Sequence, residues 1–164
     1  MTDDTSYSRR NGLTANQVLR KIRHYCAYQE RSHAEVRNKL YGWGLTSDEV
    51  NRVMVDLISE GFLNEERFAR SYAGGKFRMK KWGRLKIIRE LEAREISPYC
   101  IKAALQEIDE SDYRQTLLEL LLKKKETLTP ANPLLLRNRI AKYLIARGYE
   151  PDLVWEVLKQ QIPG

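Results

Sequence analysis

The sequence predicts an all-α chain, and three observations carry that prediction. Apolar residues recur at helical spacing: Val50, Val53, Met54 and Leu57 fall at i, i+3, i+4 and i+7, as do Ile101, Ala104, Leu105 and Ile108. Strand-like alternation is almost absent, and only five prolines and nine glycines punctuate the chain. The third observation is repetition. Leu40 precedes Leu45, Thr46-Ser47 and Val50; Leu91 precedes Ile96, Ser97-Pro98 and Ile101; Leu144 precedes Tyr149, Glu150-Pro151 and Val154. These copies are offset by 51 and 53 residues, so the expected architecture is three tandem three-helix, helix-turn-helix-like repeats.

Each element follows in order. Residues 1–13 read as a disordered tail. The first repeat, 14–62, holds helices over about 14–29, 32–43 and 47–60, with Gly44 at a C′ position and Thr46-Ser47 as capping residues. The second, 63–110, holds helices over about 64–78, 83–94 and 97–109. Here Glu95 stands where the other copies place Gly44 and Gly148, and Pro98 suits a first helical turn. Gly74-Gly75 inside a helical stretch costs about 1 kcal/mol per glycine and predicts a bend. The third repeat, 111–164, holds helices over about 111–128, 133–147 and 150–160, with Gly148 at C′ and Pro151 in the first turn. Three-helix units of about 50 residues bury little core alone, so neighbours are expected to support one another as in a solenoid. Phe62 and Leu63, with Phe68 and Tyr72, are expected to join the first repeat to the second.

Several function classes fall away. No secretory leader is expected, because the N-terminal stretch lacks an apolar segment. No apolar run approaches the ~18–20 residues of a bilayer crossing; the densest, from Leu117 to Leu122, is interrupted by Glu119. Cys26 and Cys100 read as two buried thiols in a reducing cytoplasm. His24 and His33 have no second cysteine or further histidine at metal-ligand spacing, and no glycine-rich phosphate loop is present. Asp48-Glu49 and Glu65-Glu66 sit at helix starts, where they complement the macrodipole rather than form a catalytic pair. No enzyme, cofactor or metal is expected.

Charge carries more. The chain has 29 Lys+Arg against 22 Asp+Glu, a net charge of +7 that argues for an anionic partner. Segment 64–109 alone contributes +4. Within 76–89 there are seven basic residues and no acidic one: Lys76, Arg78, Lys80, Lys81, Arg84, Lys86 and Arg89, with Phe77 and Trp82 interleaved. This stretch reads either as a solvated helix-turn-helix face or as a contact with phosphate or an acidic protein groove. Arg78, Lys80, Lys81, Arg84 and Lys86 lead the candidates, with Lys76, Arg89 and Trp82 beside them and Arg67 and Arg70 weaker. Arg67 has a structural alternative in Glu65, Glu66 or an acidic side chain of the first repeat. Removing Lys80, Lys81 and Arg84 together is expected to weaken binding without unfolding the chain. Major-groove reading is not expected, because the third helix of each repeat is net acidic, at −3, −1 and −2.

Three segments then carry a resemblance. Glu30-Arg31-Ser32-His33-Ala34-Glu35 followed by Leu40, Gly61-Phe62-Leu63-Asn64-Glu65-Glu66-Arg67-Phe68-Ala69, and GRLKIIREL from Gly83 to Leu91 followed by Ile96 resemble the signatures of the RecX family. The likeness spans about 15–160. Asn64-Glu65 replaces the more usual Asp-Asp, which should preserve capping, while Glu95 replaces a glycine and Gly74-Gly75 is unusual. The resemblance implies an elongated, curved, non-enzymatic helical array. It further implies a partner, the RecA protein filament, whose recombinase, ATPase and co-protease activities are inhibited in DNA repair and the SOS response. Weak nonspecific contact with single- or double-stranded DNA, a monomer and a cytoplasmic location are expected with it. A nucleic-acid-binding helical protein that needs no protein partner is the alternative.

Overall fold

The computed structural model describes residues 12–129 and 132–164. Of the expected tail, residues 1–11 lie outside the described residues; Leu13 packs against the first core. Nine α-helices and one π turn, with no strand, make up the described residues. They are α1 (Ala15–Tyr28), α2 (His33–Gly42), α3 (Ser47–Ser59), α4 (Glu65–Gly75), the π turn (Lys76–Lys80), α5 (Arg84–Ala93), α6 (Pro98–Leu105), α7 (Glu110–Glu126), α8 (Pro133–Ala146) and α9 (Pro151–Gln161).

Helix starts are fixed by local chemistry. Thr14 and Thr46 form capping boxes with Gln17 and Glu49. Ser32, Asn64, Ser97, Asp109 and Asn132 each accept a backbone N–H from the third helical residue. Asn64 therefore performs the capping expected of an aspartate there. Helix ends follow the same logic. Gly44 and Gly148 adopt φ of 86° and 103°, and Glu95 takes the equivalent left-handed conformation at 61°.

Packing separates the chain into two cores. The first gathers Val18, Ile22, Val36, Leu40, Val50, Val53, Leu57 and Leu63 from α1–α3 and the turn after them. The second runs continuously from Phe68 in α4 through Ile87, Leu91, Tyr113, Leu117, Ile140 and Leu144 to Leu158 and Ile162. The solenoid expectation thus holds for α4–α9. The expected apolar joint between the first two repeats does not form. Phe62 and Leu63 belong to the first core while Phe68 and Tyr72 belong to the second, and across the break Arg67 of α4 reaches Glu30 at 2.6 Å.

The firm joint lies between the start of α5 and the turn joining α8 to α9. Gly83 has no capping side chain; its N–H donates to the Arg147 carbonyl at 2.9 Å, and the Leu85 N–H donates to the Gly148 carbonyl at 2.9 Å. A Cβ on Gly83 would lie 2.2 Å from the Gly148 carbonyl carbon, so only glycine admits this approach. The Arg84 N–H donates to the Tyr113 hydroxyl at 3.0 Å. The orphan amides at this helix start are thus satisfied by residues far along the chain rather than by a cap.

Candidate partner-binding surface

The ten residues singled out in the sequence divide by what their charges touch. Three arginines are tied into the fold. Arg67 pairs with Glu30 and donates to the carbonyl of Gly61. Arg70 bridges Glu66 at 3.1 Å and Glu107 at 2.8 Å, and the hydrogen bonds it donates to Glu107 and Glu66 hold its guanidinium above the ordinary arginine value. Arg84 is the most deeply placed, with its side chain one-fifth exposed. It lies 3.8 Å over the Tyr113 ring, bonds Glu150 at 3.0 Å and pairs with Glu110. Burial pulls Arg84 down, and its hydrogen bonds to Glu110 and Glu150 more than offset that. The same contact with Arg84 holds the Glu110 carboxyl below the usual carboxylate value. The Tyr113 hydroxyl donates to Glu150, closing a network among α5, α7 and α9.

Arg84 therefore holds α5 to α7 and α9. Truncating it takes one partner from Glu110, which keeps Arg114, and one from Glu150, which keeps the Tyr113 hydroxyl. The combined removal of Lys80, Lys81 and Arg84 would therefore take contacts within the fold along with the surface cations.

The other cations of the stretch make no ion pair among the described residues. Lys76 and Lys86 lie over Trp82, 5.0 and 4.5 Å from its ring centroid. Lys76 also covers Tyr72, and Arg94, which the sequence reading passed over, lies 4.7 Å from the same ring. The result is a row of alternating cations and half-buried aromatics from Lys86 to Arg94. The contacts of Lys76 and Lys86 fix a charge without neutralising it, whereas Arg94 is also paired with Glu90 at 3.0 Å.

The π turn supplies the rest. By widening the chain after the Gly74-Gly75 pair it keeps Phe77 buried and leaves Arg78, Met79, Lys80 and Lys81 exposed in succession. The Arg78 guanidinium folds over Gly74, where a Cβ would come within 2.8 Å of it. Lys81 ends the turn at φ 56°; its carbonyl accepts from the Tyr149 hydroxyl at 2.9 Å, and the Lys80 carbonyl accepts from Arg147 at 2.5 Å. Arg78 and Lys81 line a hollow of about 330 Å³ with Asp112 and Glu119, which weakens the field there. Lys80, Lys86 and Arg89 have no such neighbours among its lining.

Among the described residues no group of three or more His, Cys, Asp or Glu side chains could hold a metal ion, and no helix is long and apolar enough to cross a membrane. Cys26 and Cys100 are buried and free, and burial pushes the Cys26 thiol up to about 11, far from a reactive thiolate.

Family models for the first, second and third three-helix domains of RecX match residues 22–57, 64–105 and 111–158, in that order along the chain. The chain belongs to the RecX family. A regulatory protein RecX of Clostridium botulinum (strain Eklund 17B / Type B) is 26% identical over 134 residues, covering 80% of this chain and 62% of that protein. Another, from Mycobacterium sp. (strain KMS), is 26% identical over 138 residues, covering 82% of this chain and 75% of the relative. The match thus spans about three-fifths of the clostridial protein's length. The crystal structure of RecX from Lactobacillus salivarius superposes with a TM-score of 0.79 at 19% identity, over 90% of this chain and 95% of that one. RecX proteins are named for regulation rather than for a reaction. The family signatures also acquire a physical meaning here. Each marks a helix start: Ser32 caps α2, Asn64 caps α4, and Gly83 begins α5 against the α8–α9 turn.

Proposed function

We infer that this chain modulates the RecA recombinase by lying along the RecA–DNA filament. Inhibition of strand exchange, ATP hydrolysis and co-protease activity follows from that placement, in the cytoplasm and in the setting of DNA repair and the SOS response. Family membership supports the class of activity, and one observation supports the contact surface. Six of the seven cations between residues 76 and 89 have no ion pair among the described residues, and they belong to the chain's most basic segment. The acidic third helices oppose base reading, so the contact falls on phosphates or on an acidic protein groove. The protein acts as a monomer, with direct DNA contact weak and nonspecific.

The test keeps Arg84 and its network intact. In the variant Lys80→Gln, Lys86→Gln, Arg89→Gln, inhibition of RecA's DNA-dependent ATPase should weaken by roughly tenfold or more, at about 0.5–1.5 kcal/mol per lost contact. Circular dichroism should stay at the wild-type value. Unchanged inhibition by the folded variant would move the contact elsewhere. A wild-type chain that leaves the ATPase untouched at equimolar RecA would remove the reading altogether. Binding to naked DNA with a log K versus log[salt] slope of roughly −3 to −4, and no preference for RecA-coated DNA, would favour a nucleic-acid binder that needs no protein partner.

A further inference from the structure

Met79 is the most exposed large apolar side chain among the described residues, at 82%. It stands fourth in the π turn, with Arg78 before it and Lys80 and Lys81 after it, all exposed. The second core takes only Phe77 from this turn. Met54, by contrast, is buried in the first core. A single exposed apolar residue is ordinary on a protein surface. What sets Met79 apart is the backbone that carries it and the charges on either side.

That backbone is held on both sides of the methionine. Before it, Phe77 is seated in the second core with its ring 5.9 Å from that of Tyr113. After it, the Lys81 N–H donates back to the Phe77 carbonyl at 2.9 Å. Arg147 and the Tyr149 hydroxyl donate to the carbonyls of Lys80 and Lys81. Lys81 is thereby kept in the left-handed conformation, which is unfavourable for a residue with a Cβ. A turn fixed in this way presents Met79 in one place, so a partner that takes it does not have to order a loop first.

We propose that Met79 is the anchor by which the 76–89 surface recognises protein rather than phosphate. It enters an apolar pocket in an acidic groove on the protein of the filament, while Arg78 and Lys80 meet carboxylates at the rim. The assignment rests on the filament reading above and decides between its two kinds of anionic contact. A phosphate backbone calls for charge and hydrogen-bond donors, and a thioether supplies neither. An apolar centre inside a charged rim is instead the usual anatomy of a protein–protein contact, where methionine is enriched. The unbranched, polarisable side chain also adapts readily to a pocket it did not shape.

The test compares wild type, Met79→Leu and Met79→Gln as inhibitors of RecA's DNA-dependent ATPase. At a position this exposed, all three should give the same circular dichroism. Met79→Gln keeps the reach of the side chain and loses its apolar end, and should raise the half-inhibitory concentration about tenfold. Met79→Leu should raise it by no more than about twofold. Anisotropy of labelled naked DNA should not separate the three chains. Hydrogen peroxide gives an independent reading, since it transfers one oxygen atom to an exposed thioether and leaves a polar sulfoxide and water. Wild type treated in this way, and freed of peroxide before mixing, should inhibit as poorly as Met79→Gln, while treated Met79→Leu keeps its potency. A Met79→Gln chain that inhibits like wild type, a loss in Met79→Leu as large as in Met79→Gln, or a matching loss of naked-DNA binding in Met79→Gln would each overturn the assignment alone. A wild-type chain without effect on the ATPase would remove the filament reading and the assignment with it.

Discussion

His33 opens α2 directly after the buried cap Ser32, and its Nε2 is buried with no hydrogen-bond partner. Burial holds its imidazole below the ordinary 6.5, and the nearby Glu65 carboxylate only partly opposes this. A proton there would also face the positive end of a helix dipole. The fold therefore favours neutral His33, while the unfolded chain takes up a proton near pH 6.5. Stability from this residue is complete above that pH and declines as pH falls toward the folded value. Thermal unfolding followed by circular dichroism should show a midpoint that drops from pH 7 to pH 5, and His33→Gln should flatten that dependence. A variant with the wild-type slope would assign the acid sensitivity to other groups. Side chains of this kind mark the limit of sequence reasoning. Arg67 met the acidic partner from the first repeat that the sequence left open, Glu30. Arg70 and Arg84 looked like their basic neighbours, yet each is tied to carboxylates far along the chain: Glu107, and Glu110 with Glu150. Spacing records which residues share a helix face; it holds no trace of which charge a later helix will bring alongside.

Helices were legible because their determinants are local. Caps such as Thr46, Asn64 and Ser97 act within three residues, and apolar periodicity fixes the buried face before any partner arrives. Glu95 was legible for the same reason: the C′ geometry that Gly44 and Gly148 enter freely is imposed on it at φ 61°. Because Glu95 is exposed and makes no ion pair among the described residues, Glu95→Gly should relieve that cost and raise stability by about 0.5–1 kcal/mol in denaturant unfolding. No gain would mean that the glutamate makes up the cost elsewhere. The π turn was not legible. Gly74-Gly75 predicted a bend, but the widening at Lys76–Lys80 is held from the far end of the chain, where Arg147 and Tyr149 donate to the carbonyls of Lys80 and Lys81. The cations most exposed for a partner are therefore presented by a turn whose shape depends on tertiary contacts.

Across the whole molecule, apolar packing breaks between Leu63 and Phe68. The Arg67–Glu30 pair spans the break with both side chains about a third or more exposed, and an ion pair of that exposure contributes at most about 1 kcal/mol. From α4 to α9 the situation is reversed. Tyr113 stacks near both Phe77 and Tyr149, with centroids 5.9 and 5.1 Å away, and the backbone of α5 is bonded to the α8–α9 turn. The helices α1–α3 and α4–α9 thus have separate apolar cores. Unfolding should reveal the division. Leu57 is fully buried in the first core, so Leu57→Ala should cost about 2–5 kcal/mol. In amide hydrogen exchange, protection should fall in α1–α3 and persist in α4–α9. Ile140→Ala, equally buried in the second core, should lower protection from α4 through α9 together while α1–α3 keep theirs. If Leu57→Ala instead exposed all nine helices alike, the break in packing would carry no energetic division, and the first three helices could not move apart from the rest.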